Sequence, residues 1–150
     1  MIRIGFALLT LAAPAAAQLR EVVITLAPTE CAQCTESLPA RMRRVRGVAG
    51  AEMQADPARV VVRLEPDNRV RLTRLLDVAR QDGTGVKAVR LTALGEAFEQ
   101  AGAWRFRVLP GDAVLEWKGA APAQPGRCEI SGRMAPPFDA LHIERTAPRP

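Results

Sequence analysis

The sequence has no tyrosine, a single histidine and three cysteines, and aromatic residues make up only 4% of its 150 positions. So few rings argue against a stacking surface for single-stranded nucleic acid, and no nucleic-acid partner is expected. One histidine, His142, cannot support a Ser/His/Asp set. No glycine loop of the phosphate-cradling kind occurs, and Glu96 and Glu99 have the spacing of ordinary surface residues. The chain therefore reads as a protein without catalytic activity. After residue 17 no apolar run approaches the roughly 20 residues that cross a bilayer as a helix, so no stable membrane insertion is expected. What the chain has in excess is positive charge: 21 Lys and Arg against 16 Asp and Glu, for a net charge of +5. Arg, Ala and Pro recur along the whole chain, so compositional bias explains this charge at least as well as an acidic partner does.

Residues 1–17 have the three parts of an export signal. Arg3 supplies the positive start, IGFALLTLAA a short apolar stretch, and Ala15-Ala16-Ala17 a small-residue cleavage site. This predicts a signal peptide over 1–17, a mature chain from Gln18, and a periplasmic or secreted location. The remainder has the size of one ordinary domain or two very small ones, and 48% hydrophobic residues suffice for a modest core.

From Gln18 the pattern has period two, with Val22, Ile24 and Leu26 on one face of a strand that Pro28 ends. Leu38, Met42 and Val45 then follow helical spacing, with Arg41, Arg43, Arg44 and Arg46 on the other faces and Gly47 as the stop. GAEMQA and RVVVRLE, separated by the Asp56-Pro57 turn signal, read as a hairpin. Asp67 or Asn68 is placed to cap a second helix that buries Leu72, Leu75, Leu76 and Ala79 and stops at Gly83. VKAVRLTAL closes the series as a strand. The order β-α-β-β-α-β over residues 21–93 predicts an α+β, ferredoxin-like sandwich, with two helices on one face of a four-stranded antiparallel sheet.

Residues 18–94 are thus expected to form this domain, and 95–146 a small β-rich C-terminal extension. In the extension AWRFRVLPGDAVLEW reads as a hairpin turning at Pro110-Gly111-Asp112, with Trp104 and Trp117 in cross-strand contact. RCEISGRM and LHIERT are candidate strands, and 147–150 a disordered tail. Cys128, which makes the cysteine count odd, reads as a buried small hydrophobe. His142, Met53 and Met134 read as packing or strand residues rather than ligands.

The chemistry concentrates in TECAQCTESLPARMRRVRGV, where Cys31 and Cys34 precede an amphipathic segment. Two thiolates three positions apart can converge on one soft ion, cycle as a redox couple, or staple a loop. Sulfur selects Cu(I), Zn(II) or other soft ions over Mg(II) and Ca(II), and two ligands leave an ion open to transfer. Residues 21–93 resemble the heavy-metal-associated domain family, which includes periplasmic mercury-binding proteins and copper chaperones. The resemblance rests on the Cys-x-x-Cys loop between first strand and first helix, on Leu38, Met42 and Val45, and on Gly47-Val48 at the helix end. It implies a soft-metal site at Cys31 and Cys34, with Cu(I) first and Hg(II) or Zn(II) as alternatives. The implied role is sequestration or delivery, with a membrane metal transporter or a metalloprotein acceptor as partner.

Two positions depart from the family pattern. Thr29 replaces the family's methionine, and Pro39 predicts a helix that begins near Ser37, leaving Cys34 ahead of it. An oxidising compartment also predicts a Cys31–Cys34 disulfide unless metal or a reductase intervenes. Two other readings stay open: a noncatalytic interaction module with a structural disulfide, and a thiol-disulfide exchange protein.

Overall fold

The alternation in the first strand translates directly into a buried and an open face. In a computed structural model, which describes residues 18–149, β1 (Gln18–Leu26) pairs antiparallel with β3 (Arg59–Leu64). The register sets Val22 opposite Val62 and Ile24 opposite Val60. All four side chains are fully buried. β2 (Val48–Gln54) joins the other edge of β3, with Ala51 opposite Val62. Two helices cover this apolar face. α1 (Ala32–Arg43) lies over β2 and β3 and buries Leu38, Pro39 and Met42, while α2 (Leu72–Arg80) lies over β1 and β4 and buries Leu75, Leu76 and Ala79. The signal peptide expected over residues 1–17 falls outside the described residues.

Neither Asp67 nor Asn68 caps α2. Its N-cap is Arg71, which makes no side-chain capping bond. Asn68 is instead buried, donating through Nδ2 to the carbonyls of Leu19 (2.8 Å) and Glu65 (2.7 Å) and accepting the amide of Val70 at 3.1 Å. Its amide is thus committed to pinning the loop before α2 against β1. Burial with three satisfied bonds outweighs the generic capping preference.

The expected α+β ferredoxin-like sandwich with a small β-rich extension is not what the chain forms. β4 (Val86–Gln100) runs for 15 residues without a break at position 94. It pairs with β1 along residues 86–94, with β5 (Ala103–Arg107) along 96–100, and with β7 (Gly126–Met134) along 89–97. β6 (Leu115–Lys118) pairs antiparallel with β5 and parallel with β8 (Ala140–Pro148), and β8 returns antiparallel to β7. The result is one mixed eight-stranded sheet in the order β2-β3-β1-β4-β5-β6-β8-β7, and the extra β4–β7 pairing closes its last five strands into a ring. β8 extends to Pro148, into the segment expected to be disordered. Hydrophobic period identifies strands one at a time. It does not report which edges later pair.

The ring has its own packing demands. Phe106, Ile130 and Leu141 are fully buried, and Leu115, Trp117 and Cys128 nearly so, all within the cluster that also holds the helix-covered face. Phe106 meets Trp117 edge-on, with centroids 6.3 Å apart and planes at 62°. That pair replaces the expected contact between Trp104 and Trp117. Glycine is required where the ring is tightest. A Cβ on Gly95 would lie 2.5 Å from both the Arg107 carbonyl oxygen and the Phe106 ring, and one on Gly132 would lie 2.8 Å from the His142 carbonyl oxygen.

Candidate functional site

Pro28 removes the chain from β1, and the loop reaches α1 within a few residues. Hydrogen bonds from Leu26 to the Ala58 carbonyl (2.9 Å) and from Ala27 to the Gly85 carbonyl (2.8 Å) fix its base. Thr29 accepts the Cys31 amide on Oγ1 at 3.1 Å, so the position occupied by methionine in the resembled family here orients the first cysteine. Cys31 is the N-cap of α1, and its sulfur accepts the Cys34 amide at 3.2 Å. The two residues form a disulfide, with Cα atoms 5.3 Å apart. Cys31 is exposed and Cys34 half-buried.

The helix start differs from expectation. α1 begins at Ala32, so Cys34 lies in its first turn and Pro39 in its interior. Proline has no N–H for the Thr35 carbonyl, but Pro39 is buried beside Leu38 on the packed side of the helix. The Cys34 carbonyl, in turn, receives the Ser37 hydroxyl at 3.3 Å and the Arg41 guanidinium at 3.5 Å. Burial at Leu38, Pro39 and Met42 thus retains a helix around a residue that disfavours one.

Arg41 also reaches Asp82, just beyond α2, at 2.8 Å. Asp82 accepts the Thr84 amide (3.1 Å) and hydroxyl (2.7 Å) on its other oxygen. Burial alone would raise the Asp82 carboxyl, yet the hydrogen bonds from Thr84 and Arg41 together outweigh it and hold the group below its ordinary value. The network ties the cysteine turn to the end of α2. Sequence reasoning missed it, although the D-G-T-G run over 82–85 has the form of an Asx turn.

The other arginines of the predicted cluster serve elsewhere. The twelve residues of α1 span about 18 Å, so Arg43, Arg44 and Arg46 lie at the end remote from the cysteines. Arg43 there donates to the Ala51 carbonyl at 2.9 Å. Cys128 is buried in the ring opposite Gly95, and burial pushes its thiol up from the ordinary cysteine value. His142 is exposed on β8 between Lys118 and Arg133, Met134 is buried opposite Val89, and Met53 is half-buried opposite Val60. Of the residues considered as sulfur or nitrogen donors, only Cys31 and Cys34 are brought together. Among the described residues no group of three or more His, Cys, Asp or Glu side chains has the arrangement of a metal site.

No protein-family model, curated protein or solved structure matches this chain. The likeness of residues 21–93 to the heavy-metal-associated domains therefore rests on the cysteine loop and its flanking pattern alone.

Proposed function

We propose that this is an exported, periplasmic or secreted protein whose reduced Cys31–Cys34 pair captures a soft cation, Cu(I) first or Hg(II), for sequestration or delivery. One observation carries the reading: the two sulfurs meet at an exposed helix N-terminus. Reduction would place thiolate charge where the first amides of α1 converge. A pair of sulfur donors suits an ion content with two soft ligands. Zn(II), which takes four ligands in structural sites and three in catalytic ones, is the poorer fit to this donor set. An open coordination sphere allows the ion to pass by ligand exchange to a membrane transporter or a metalloprotein acceptor.

Anaerobic titration of the reduced protein tests this. One equivalent of Cu(I) or Hg(II) should bind more tightly than Zn(II), and both Cys31→Ser and Cys34→Ser should abolish the tight site. Failure of the reduced protein to bind either ion, or unchanged binding in the double variant, would sink the proposal.

A second reading, thiol-disulfide exchange, draws support from the exposure of Cys31 relative to Cys34. It expects the protein to accelerate insulin reduction by dithiothreitol, which returns the Cys31–Cys34 disulfide to the dithiol at each turn, and Cys34→Ser to trap a mixed disulfide through Cys31. Absence of both, together with failure of the metal titration, would leave the disulfide as a structural staple in a noncatalytic interaction module.

A further inference from the structure

A cavity of about 330 Å³ lies where α2 faces the strand ring, within the range of roughly 300–1,000 Å³ usual for small-molecule sites. Leu72 and Leu76, one helical turn apart on α2, line one side. Leu91 of β4, Leu115 of β6 and Phe138 of the β7–β8 loop contribute further apolar surface. Leu76, Leu91 and Leu115 are each more than nine-tenths buried, so the lining belongs to the core rather than to a mobile surface.

The charges on the lining are unequal. Arg71 pairs with Asp112 at 3.2 Å, and the second oxygen of Asp112 accepts the Leu109 amide at 3.3 Å. That carboxylate is therefore neutralised and occupied. Arg80 lies over the Phe138 ring, 5.3 Å from its centroid, and among the described residues it joins no ion pair. Next to the cavity, an adjoining groove that shares Arg71 and Thr73 with it is lined by Arg44, Arg46, Arg69 and Arg74 against a single carboxylate, Asp77. The site thus combines an apolar interior, one uncommitted guanidinium and a surrounding positive potential. A cationic guest would be repelled, and a neutral one would leave Arg80 unused. A guanidinium also offers paired N–H donors that match a carboxylate.

We infer that this cavity binds a single-chain anionic amphiphile, its hydrocarbon chain against Leu72, Leu76, Leu91, Leu115 and Phe138 and its carboxylate on Arg80. The assignment is independent of the cysteine chemistry, since it uses neither sulfur.

Titrating the full chain with hexanoate, octanoate and decanoate below their micellar concentrations, followed by leucine methyl NMR signals, tests it. Binding should saturate and tighten by about three- to fourfold per added methylene. Decylamine should bind at least tenfold more weakly than decanoate. Arg80→Gln, a change at an exposed position, should weaken decanoate about tenfold, leave decanol unchanged, and preserve the spectrum of the free protein. No saturable shift, no chain-length dependence, equal binding of decylamine, or an Arg80→Gln variant that binds decanoate normally would each overturn the assignment.

Discussion

The two halves of the sheet keep water from their apolar surface in different ways. Over β2, β3, β1 and the start of β4, large aliphatic side chains sit on one face and two amphipathic helices cover them, with Glu52 and Arg63 exposed on the other face and β2 at the sheet's edge among the described residues. Beyond the α2 contact with β4, no helix among the described residues packs on β5, β6, β8 or β7, and closure brings the inner side chains against one another. The first solution tolerates variation in strand length and in small residues. The second removes the edges but fixes the space available at each inward position, so a missing or added carbon is felt directly. β4 belongs to both, which is why one strand of 15 residues can join them.

This contrast is most severely tested at the ring's centre. Phe106→Ala removes a fully buried ring that packs on Trp117 and should cost about 3–5 kcal/mol. Chemical denaturation followed by both far-UV circular dichroism and tryptophan fluorescence should show a single transition shifted alike in each signal. Two separate transitions would show that the helix-covered sheet and the ring unfold independently.

A smaller effect is expected from a glycine pair chosen across the two halves. Gly95→Val would force atoms against the Phe106 ring and the Arg107 carbonyl, for a loss of about 3 kcal/mol. Gly50→Val in β2, where nothing lies within 4 Å of the added carbon, should change stability by less than about 0.5 kcal/mol. Equal losses at the two sites would remove the proposed difference in packing.

The smallest expected change concerns the link between the cysteine turn and α2. Asp82→Asn should lower stability by about 1 kcal/mol at neutral pH by weakening the bonds from Arg41 and Thr84. Because the Asp82 carboxyl is held below its ordinary value of 3.8, its contribution is present above that value and lost as pH falls through the depressed one. Denaturation midpoints of the two proteins should therefore converge in acid below 3.8. A gap that stays constant with pH would exclude the charged form of Asp82 as its source.

Much of the local structure was legible from period and punctuation. Val22, Ile24 and Leu26 announced β1, Leu75, Leu76 and Ala79 announced the buried side of α2, and Pro110-Gly111-Asp112 marked the turn between β5 and β6. Burial of Cys128 was likewise readable from its place on an apparent strand, in alternation with Ile130. The misses share a cause. The expected start of α1 near Ser37 follows from the preference of Pro39 for a first turn, whereas the helix, packed through Leu38 and Met42, begins at Ala32 with Pro39 inside it. Asp67 or Asn68 reads as a cap because one partner that buries the Asn68 amide, the Leu19 carbonyl, lies 49 positions away. The candidate site was only half visible: the cysteines stand out at any reading, but Asp82, which bonds the arginine behind them, lies 41 positions from Arg41.

By itself the sequence determined which segments extend, which coil, and that two cysteines share one turn, because these depend on side chains a few positions apart. Only the tertiary structure decided that β4 would accept three partner strands, that the later strands would close on themselves, and that a cavity lined by Arg80 would open beside α2. Those outcomes depend on edge pairing and on the volume left between distant elements, which no local pattern encodes.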